Sequence, residues 1–117
     1  MKPIVLILED NILLAFDLAD MVRDELAGEP VVVSSVAAAL EIEPESLAFA
    51  FLDINVVDGK TYPVARSLIK NGIPFIFVSA NERSTLPLDL RNSPSCLKPA
   101  ERAPLVLQTK ALSGAFN

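Results

Sequence analysis

The chain predicts an α/β fold: an open five-stranded parallel sheet in (βα)5 order, with a degenerate fourth helix. Three observations carry this. Short apolar runs alternate with segments of helical periodicity. The runs Ile4–Leu8, Leu47–Leu52 and Phe75–Val78 are apolar throughout, as strands covered on both faces are. Turn and stop signals at Gly28, Pro44 and Asn71-Gly72 divide the chain into βα units. Right-handed crossovers then place helices on both faces of the sheet.

The first strand, within Lys2–Leu8, is a continuous apolar run. A helix is expected from Ile12 to Leu26. Its core stripe is Leu14, Ala15, Leu18, Val22 and Leu26, with Asp17, Asp20 and Asp24 opposite and Gly28 as C-cap. Val31–Val33 is a second strand. Val36–Ile42 is a short helix that Ser35 caps and Pro44 stops. Leu47–Leu52 is the third strand, and a loop through Asp58-Gly59 leads to a helix over Tyr62–Ile69. Pro74–Val78 is the fourth strand. From Asn81 to Pro94 the pattern degrades: two prolines and three leucines do not make a regular amphipathic helix. A short fifth strand at Ser95–Leu97 and a helix over Pro104–Leu112 complete the order.

At 117 residues the chain suits one domain, 1–117, with a core of its own. Half of it is apolar (51%), which argues against disorder. The net charge is −5 and no stretch gathers Lys or Arg into a stripe, so nucleic acid is not an expected partner. One cysteine, Cys96, excludes an internal disulfide, and the absence of histidine removes the ordinary ligands of structural zinc. No apolar stretch approaches the roughly 18–20 residues that span a bilayer, and no leader pattern precedes the first strand. The expectation is a cytoplasmic protein without a membrane or nucleic-acid partner.

The chemistry lies at the strand ends. Glu9 and Asp10 follow the first strand, Asp53 the third, Ser79 the fourth, and Lys98-Pro99 the fifth. Taken singly, each has an ordinary reading as a solvated loop residue, an N-cap, a turn former or a surface charge. In an open parallel sheet, however, the carboxyl ends of the strands form the ligand crevice. Three carboxylates, a hydroxyl and an ammonium should therefore share one pocket. Carboxylates held together raise one another's pKa unless a cation offsets the repulsion. Mg2+ fits that need, with oxygen ligands and retained waters. Asp10 and Asp53 would be direct ligands, Glu9 would act through water, and the Asn55 carbonyl would complete the protein's share. Ser79 and Lys98 would take the oxygens of an arriving phosphoryl group. Lys98-Pro99 is a candidate cis peptide.

These residues, in this order, resemble the receiver domain of two-component response regulators, the flavodoxin-like, chemotaxis-regulator type of (βα)5 domain. The resemblance covers nearly the whole chain. The family's acidic pair matches Glu9-Asp10, its phosphoacceptor aspartate Asp53, its Ser/Thr Ser79, and its Lys-Pro Lys98-Pro99. The stretch from Asp53-Ile54-Asn55 to Gly59, then Tyr62–Ala65 and Ile73–Ser79, is similar to the alphaproteobacterial single-domain regulators of the FATGUY type, which have a poor fourth helix. The name stretch reads Phe77-Val78-Ser79-Ala80-Asn81 here.

The resemblance implies Mg2+-dependent transfer of a phosphoryl group to Asp53 from a phosphohistidine on a histidine kinase or histidine phosphotransfer protein. It implies no enzyme acting on other substrates, only a chain that catalyses its own phosphorylation and dephosphorylation. Output would come through contact with a downstream protein or through use as a phosphate sink. Two departures stand out. Most receivers carry an aromatic residue three positions before the lysine, where this chain has Ser95. The irregular Asn81–Pro94 stretch, expected to be mobile or to order on activation, replaces the usual helix. Ile12, Leu13 and Phe16 lie off the first helix's core stripe, where they would either form a docking surface for a kinase helix pair or, for Phe16 above all, pack under the neighbouring loop. The alternatives are a receiver-like scaffold independent of phosphate and an aspartate-nucleophile phosphatase, which lacks its second aspartate here because Asn55 stands in that place. A dinucleotide-binding domain ranks last, as no G-x-G-x-x-G follows a strand.

Overall fold

Residues 1–80 and 85–116 are described by a computed structural model. Five parallel strands form the sheet: β1 (Ile4–Leu8), β2 (Glu29–Val33), β3 (Phe49–Leu52), β6 (Phe75–Ser79) and β7 (Ser95–Leu97), in the order β2-β1-β3-β6-β7. Four α-helices are described: α1 (Ile12–Glu25), α2 (Val36–Leu40), α3 (Tyr62–Lys70) and α4 (Arg102–Leu112). The five strands and the parallel sheet are as expected. So is the missing regular helix between β6 and β7 over the described residues, where a 3-10 turn stands at Leu88–Leu90.

Alternation along the buried strands sorts side chains to the two faces. Val5, Ile7, Phe49, Phe51, Ile76 and Val78 pack under α1 and α4. Leu6, Leu8, Ala50, Leu52, Phe75 and Phe77 pack under α2 and α3. The continuous apolar runs in the sequence are the consequence of having both faces covered.

Several boundaries and packing assignments differ from expectation. Leu14 is not in the core stripe of α1; it is 37% exposed, and Ala19 and Met21 are buried instead. Gly28 does not supply the left-handed residue that ends α1. Ala27 does, at φ 51°. Gly28 is there for room: a Cβ would meet Val22 Cγ1 at 2.9 Å, the Pro3 carbonyl at 3.2 Å and Val5 Cγ2 at 3.3 Å. β2 starts at Glu29, two residues early, because its pairing with Ile4 extends the ladder. β3 starts at Phe49, since Pro44–Ser46 closes a 3-10 turn, although Leu47 is still buried. α4 begins at Arg102, so Pro104 falls in the first turn, where a missing N–H costs no intrahelical bond. Beyond α4, a 3-10 turn at Gly114–Phe116 returns Phe116 edge-on to Phe49, at 6.0 Å between ring centroids.

The stretch expected to be mobile or to order on activation is only partly described. Its residues 81–84 lie outside the described residues. From 85 to 94 the chain is irregular but anchored. Leu86 and Leu90 are fully buried against the α3 face, and Leu88 alone of the three leucines faces out. Arg66 of α3 forms a two-point ion pair with Asp89, at 2.8 and 3.1 Å. Two prolines preclude a regular helix, yet two leucines at i, i+4 still find the core.

Between β3 and α3 the expected plain loop is a small antiparallel hairpin, β4 (Asn55–Val56) and β5 (Gly59–Lys60). Ile54 and Val56 are buried beneath it. Asp58, at its tip, accepts hydrogen bonds from the amides of Val36 (2.7 Å) and Ala37 (3.0 Å), so α2 has a second cap beside Ser35.

Candidate functional site

Strand order reverses direction between β1 and β3: the chain leaves β1 for β2 on one side and returns to β3 on the other. Ligand crevices form at such switch points. Leu8 and Leu52 are register partners at the ends of these strands, so Glu9-Asp10 and Asp53 emerge side by side. Glu9, Asp10 and Asp53 each offer a carboxylate oxygen, all within 4.8 Å of one another. β6 lies next to β3 and ends at Ser79, a buried residue. β7 lies next to β6, with Ser79 opposite Leu97. The Lys98 amide donates to the Ser79 carbonyl at 2.9 Å.

From the outer strand Lys98 reaches back over the sheet ends. Its Nζ is 2.6 Å from Glu9 Oε1 and 3.1 Å from Asp53 Oδ2. The Lys98–Pro99 peptide is cis, as the sequence had marked. The expected Glu9, Asp10, Asp53, Ser79 and Lys98 are thus brought to one end of the sheet. Asn55 opens β4 directly beyond Ile54. The Thr61 amide donates to the Ile54 carbonyl at 2.9 Å. Bonded and non-bonded pairs alternate in an antiparallel ladder, so the Asn55–Lys60 pair is a non-bonded one. The Asn55 carbonyl therefore points away from the hairpin.

The electrostatics are unbalanced. Burial pushes the Glu9 carboxyl above its ordinary range and Asp53 adds to the push, against the pull of Lys98 and the Asn11 amide. Burial works against the Lys98 ammonium, but its bonds to Glu9 and Asp53 outweigh that and hold its pKa above the usual lysine value. Three carboxylates against one ammonium leave two negative charges in excess when all are ionised. Hard oxygen donors with that surplus fit Mg2+, which needs few protein ligands and keeps its waters.

Two contributors escaped the sequence reading. Asn11 caps α1 through Oδ1, accepting from the amides of Leu13 (3.1 Å) and Leu14 (3.2 Å). Its own amide donates to Glu9 Oε2 at 3.1 Å, so the cap also orients the acid. An asparagine just before an apolar helical run is a readable N-cap signal. Thr61 is fully buried, and its hydroxyl donates to the main-chain carbonyl of Asp53. No local pattern marks that contact.

Beside Glu9 and Asp10 a groove of about 540 Å³ runs between α1 and the end of β2, lined by Ile12, Phe16, Val32 and Val33 among others. Ile12, Leu13 and Phe16 are 62%, 77% and 55% exposed, as expected from their place off the core stripe. Among the described residues no helix is long and apolar enough to cross a membrane.

No protein-family model and no curated protein matches the chain. Solved structures do. The BeF3-activated conformation of SdrG from Pseudomonas melonis Fr1 is 32% identical, with a TM-score of 0.73 over 96% of this chain and 98% of that one. The PhyR response regulator REC domain of Erythrobacter litoralis is 24% identical, with a TM-score of 0.81 over 95% and 89%. A sensor protein from Polaromonas sp. JS666 is also 24% identical, with a TM-score of 0.82 over the full length of both chains.

Proposed function

The chain belongs to the receiver-domain family of response regulators, and we propose that it accepts a phosphoryl group on Asp53 from a phosphohistidine of a histidine kinase or histidine phosphotransfer protein. The observation that supports this most directly is Lys98 bonded to both Glu9 and Asp53, with Asp10 within reach and Ser79 at the end of the neighbouring strand.

In this reading a carboxylate oxygen of Asp53 attacks phosphorus. The P–N bond to the donor imidazole breaks, a P–O bond forms, and the released imidazole nitrogen keeps the electron pair and takes up a proton from solvent. Carboxylates are competent nucleophiles for such transfers. Positioning and charge neutralisation carry the rate. Asp10, Asp53 and the Asn55 carbonyl would hold Mg2+, with Glu9 through water. The ion's contribution when bound is to neutralise the converging negative charge. Lys98 donates to one oxygen of the transferred group, and the Ser79 hydroxyl to another.

The phosphoryl group adds nearly two negative charges at the sheet end. Signal output would then pass to a downstream protein by contact, or the chain would drain phosphoryl groups from a pathway. The chain catalyses only its own phosphorylation and dephosphorylation. A cytoplasmic location goes with this reading, as does the lone cysteine.

Incubation with acetyl phosphate and Mg2+, followed by intact-protein and peptide mass spectrometry, tests the proposal. One phosphoryl group on the Asp53 peptide is expected, absent in Asp53→Asn and absent when Mg2+ is chelated. Wild-type protein that stays unlabelled by acetyl phosphate and by phosphorylated kinases would overturn it.

A further inference from the structure

We propose that Thr61 is a positioning residue for the phosphoacceptor and its cation, a reading that rests on Asp53 being the acceptor. Thr61 lies eight residues beyond Asp53, at the start of α3, and is fully buried. Its side chain does not cap α3. Instead the hydroxyl donates to the Asp53 carbonyl, while the Thr61 amide donates to the Ile54 carbonyl at 2.9 Å.

One residue thus grips two successive peptide groups. The peptide between Asp53 and Ile54 is held at its carbonyl by Thr61 and at its N–H by Asp53 Oδ1, 2.8 Å away. The next peptide, between Ile54 and Asn55, is held at its carbonyl by the Thr61 amide. On the other side the Asp53 amide is tied to the Leu8 carbonyl at 2.9 Å. These planes set where the Asp53 carboxylate leaves the chain and where the Asn55 carbonyl points. Without the hydroxyl, the Asp53 carbonyl loses its buried donor and the first plane is free to tilt. A tilt there moves both proposed oxygen ligands together.

Partners that orient metal ligands without touching the metal commonly change affinity by about 10–100-fold when removed. Thr61→Val keeps the shape and deletes the donor, whereas Thr61→Ser keeps the donor and deletes a methyl. Mg2+ affinity by calorimetry on the folded proteins is the primary readout, with the rate of acetyl-phosphate labelling and the unfolding midpoint beside it. The expected result is a roughly tenfold loss of Mg2+ affinity and of labelling rate in Thr61→Val, with Thr61→Ser within about twofold of wild type. A role confined to stability would lower the midpoint and leave Mg2+ affinity unchanged.

Wild-type Mg2+ affinity in Thr61→Val overturns the assignment, and so does a Thr61→Ser protein as weak as Thr61→Val. Should Thr61→Val fold poorly, Thr61→Ala read against Thr61→Ser makes the same comparison. Failure of the wild-type chain to bind Mg2+ and to be labelled would overturn the phosphoacceptor reading itself. An unaltered Thr61→Val beside an active wild type removes only the role of Thr61.

Discussion

Lys98 Nζ stands 2.6 Å from a Glu9 carboxylate that is 2% exposed, so the buried acid before α1 depends for its counter-charge on a residue beyond the far edge strand. Removing one partner of such a pair strands the other. Lys98→Ala is expected to destabilise the metal-free protein by about 1–3 kcal/mol, below the cost for a fully buried pair because the lysine is partly exposed. Added Mg2+ should recover part of the loss, and the variant should bind Mg2+ more tightly than wild type, since the competing ammonium has gone. Urea unfolding with and without Mg2+ measures both. Unchanged stability together with weaker Mg2+ binding would contradict this account of the pair.

The turn after α1 provides opposite predictions at adjacent positions. Ala27 adopts a left-handed φ of 51° at an exposed site, so Ala27→Gly should stabilise by roughly 1 kcal/mol. Gly28 has an ordinary φ but no room, and Gly28→Ala should cost about 1–3 kcal/mol by overpacking against Val22 and the Pro3 carbonyl. Chemical denaturation of the two variants decides whether space or conformation governs position 28.

Asp58 joins the hairpin after β3 to the start of α2. The amides of Ala37 and Val36 bind its charged form and hold its carboxyl below the usual aspartate range. A folded pKa below the unfolded one gives stability that is complete above about pH 4 and is lost as pH falls through the lowered value. The wild-type midpoint should therefore fall more steeply below about pH 4 than that of Asp58→Asn, which keeps an acceptor without the titration. Asp58→Ala should also speed hydrogen exchange at Val36 and Ala37. Parallel pH profiles for wild type and Asp58→Asn would rule the linkage out.

Leu90 tests whether the irregular segment before β7 belongs to the core. It is fully buried, and Leu90→Ala should cost about 2–5 kcal/mol. Leu88→Ala, two residues away on an 80% exposed side chain, should be nearly neutral. Equal, small effects at both positions would mean that the segment is held only weakly.

Leu13 is the most exposed apolar side chain of α1, beside the acidic site. If α1 receives the phosphodonor protein, Leu13→Asp should slow transfer from a cognate kinase by about tenfold, as loss of a contact worth about 1.4 kcal/mol does. Labelling by acetyl phosphate, which needs no docking, should be unchanged. Equal slowing with both donors would move the effect from docking to chemistry.

What could be read from the residues alone was set by covered strands and their ends. A strand buried on both faces must be apolar throughout, so Ile4–Leu8, Leu47–Leu52 and Phe75–Val78 announced themselves. Any polar residue directly after them then had to stand at the rim of the sheet, which is why Glu9, Asp10, Asp53 and Ser79 were legible as one group, while Lys98 joined it only through the weaker run Ser95–Leu97 and the Lys-Pro pair that follows. Distances between those residues were not legible, because strand order and register bring Lys98 across from β7 to Glu9 beyond β1. The same holds for Thr61 on the Asp53 carbonyl, Asp58 on α2, and Leu86 and Leu90 in the core. Each is a contact between segments whose local patterns say nothing of one another. Periodicity and turn chemistry act within about a dozen residues, whereas hydrogen bonds and close packing form wherever the folded chain brings the groups together, and that was decided only by the tertiary structure.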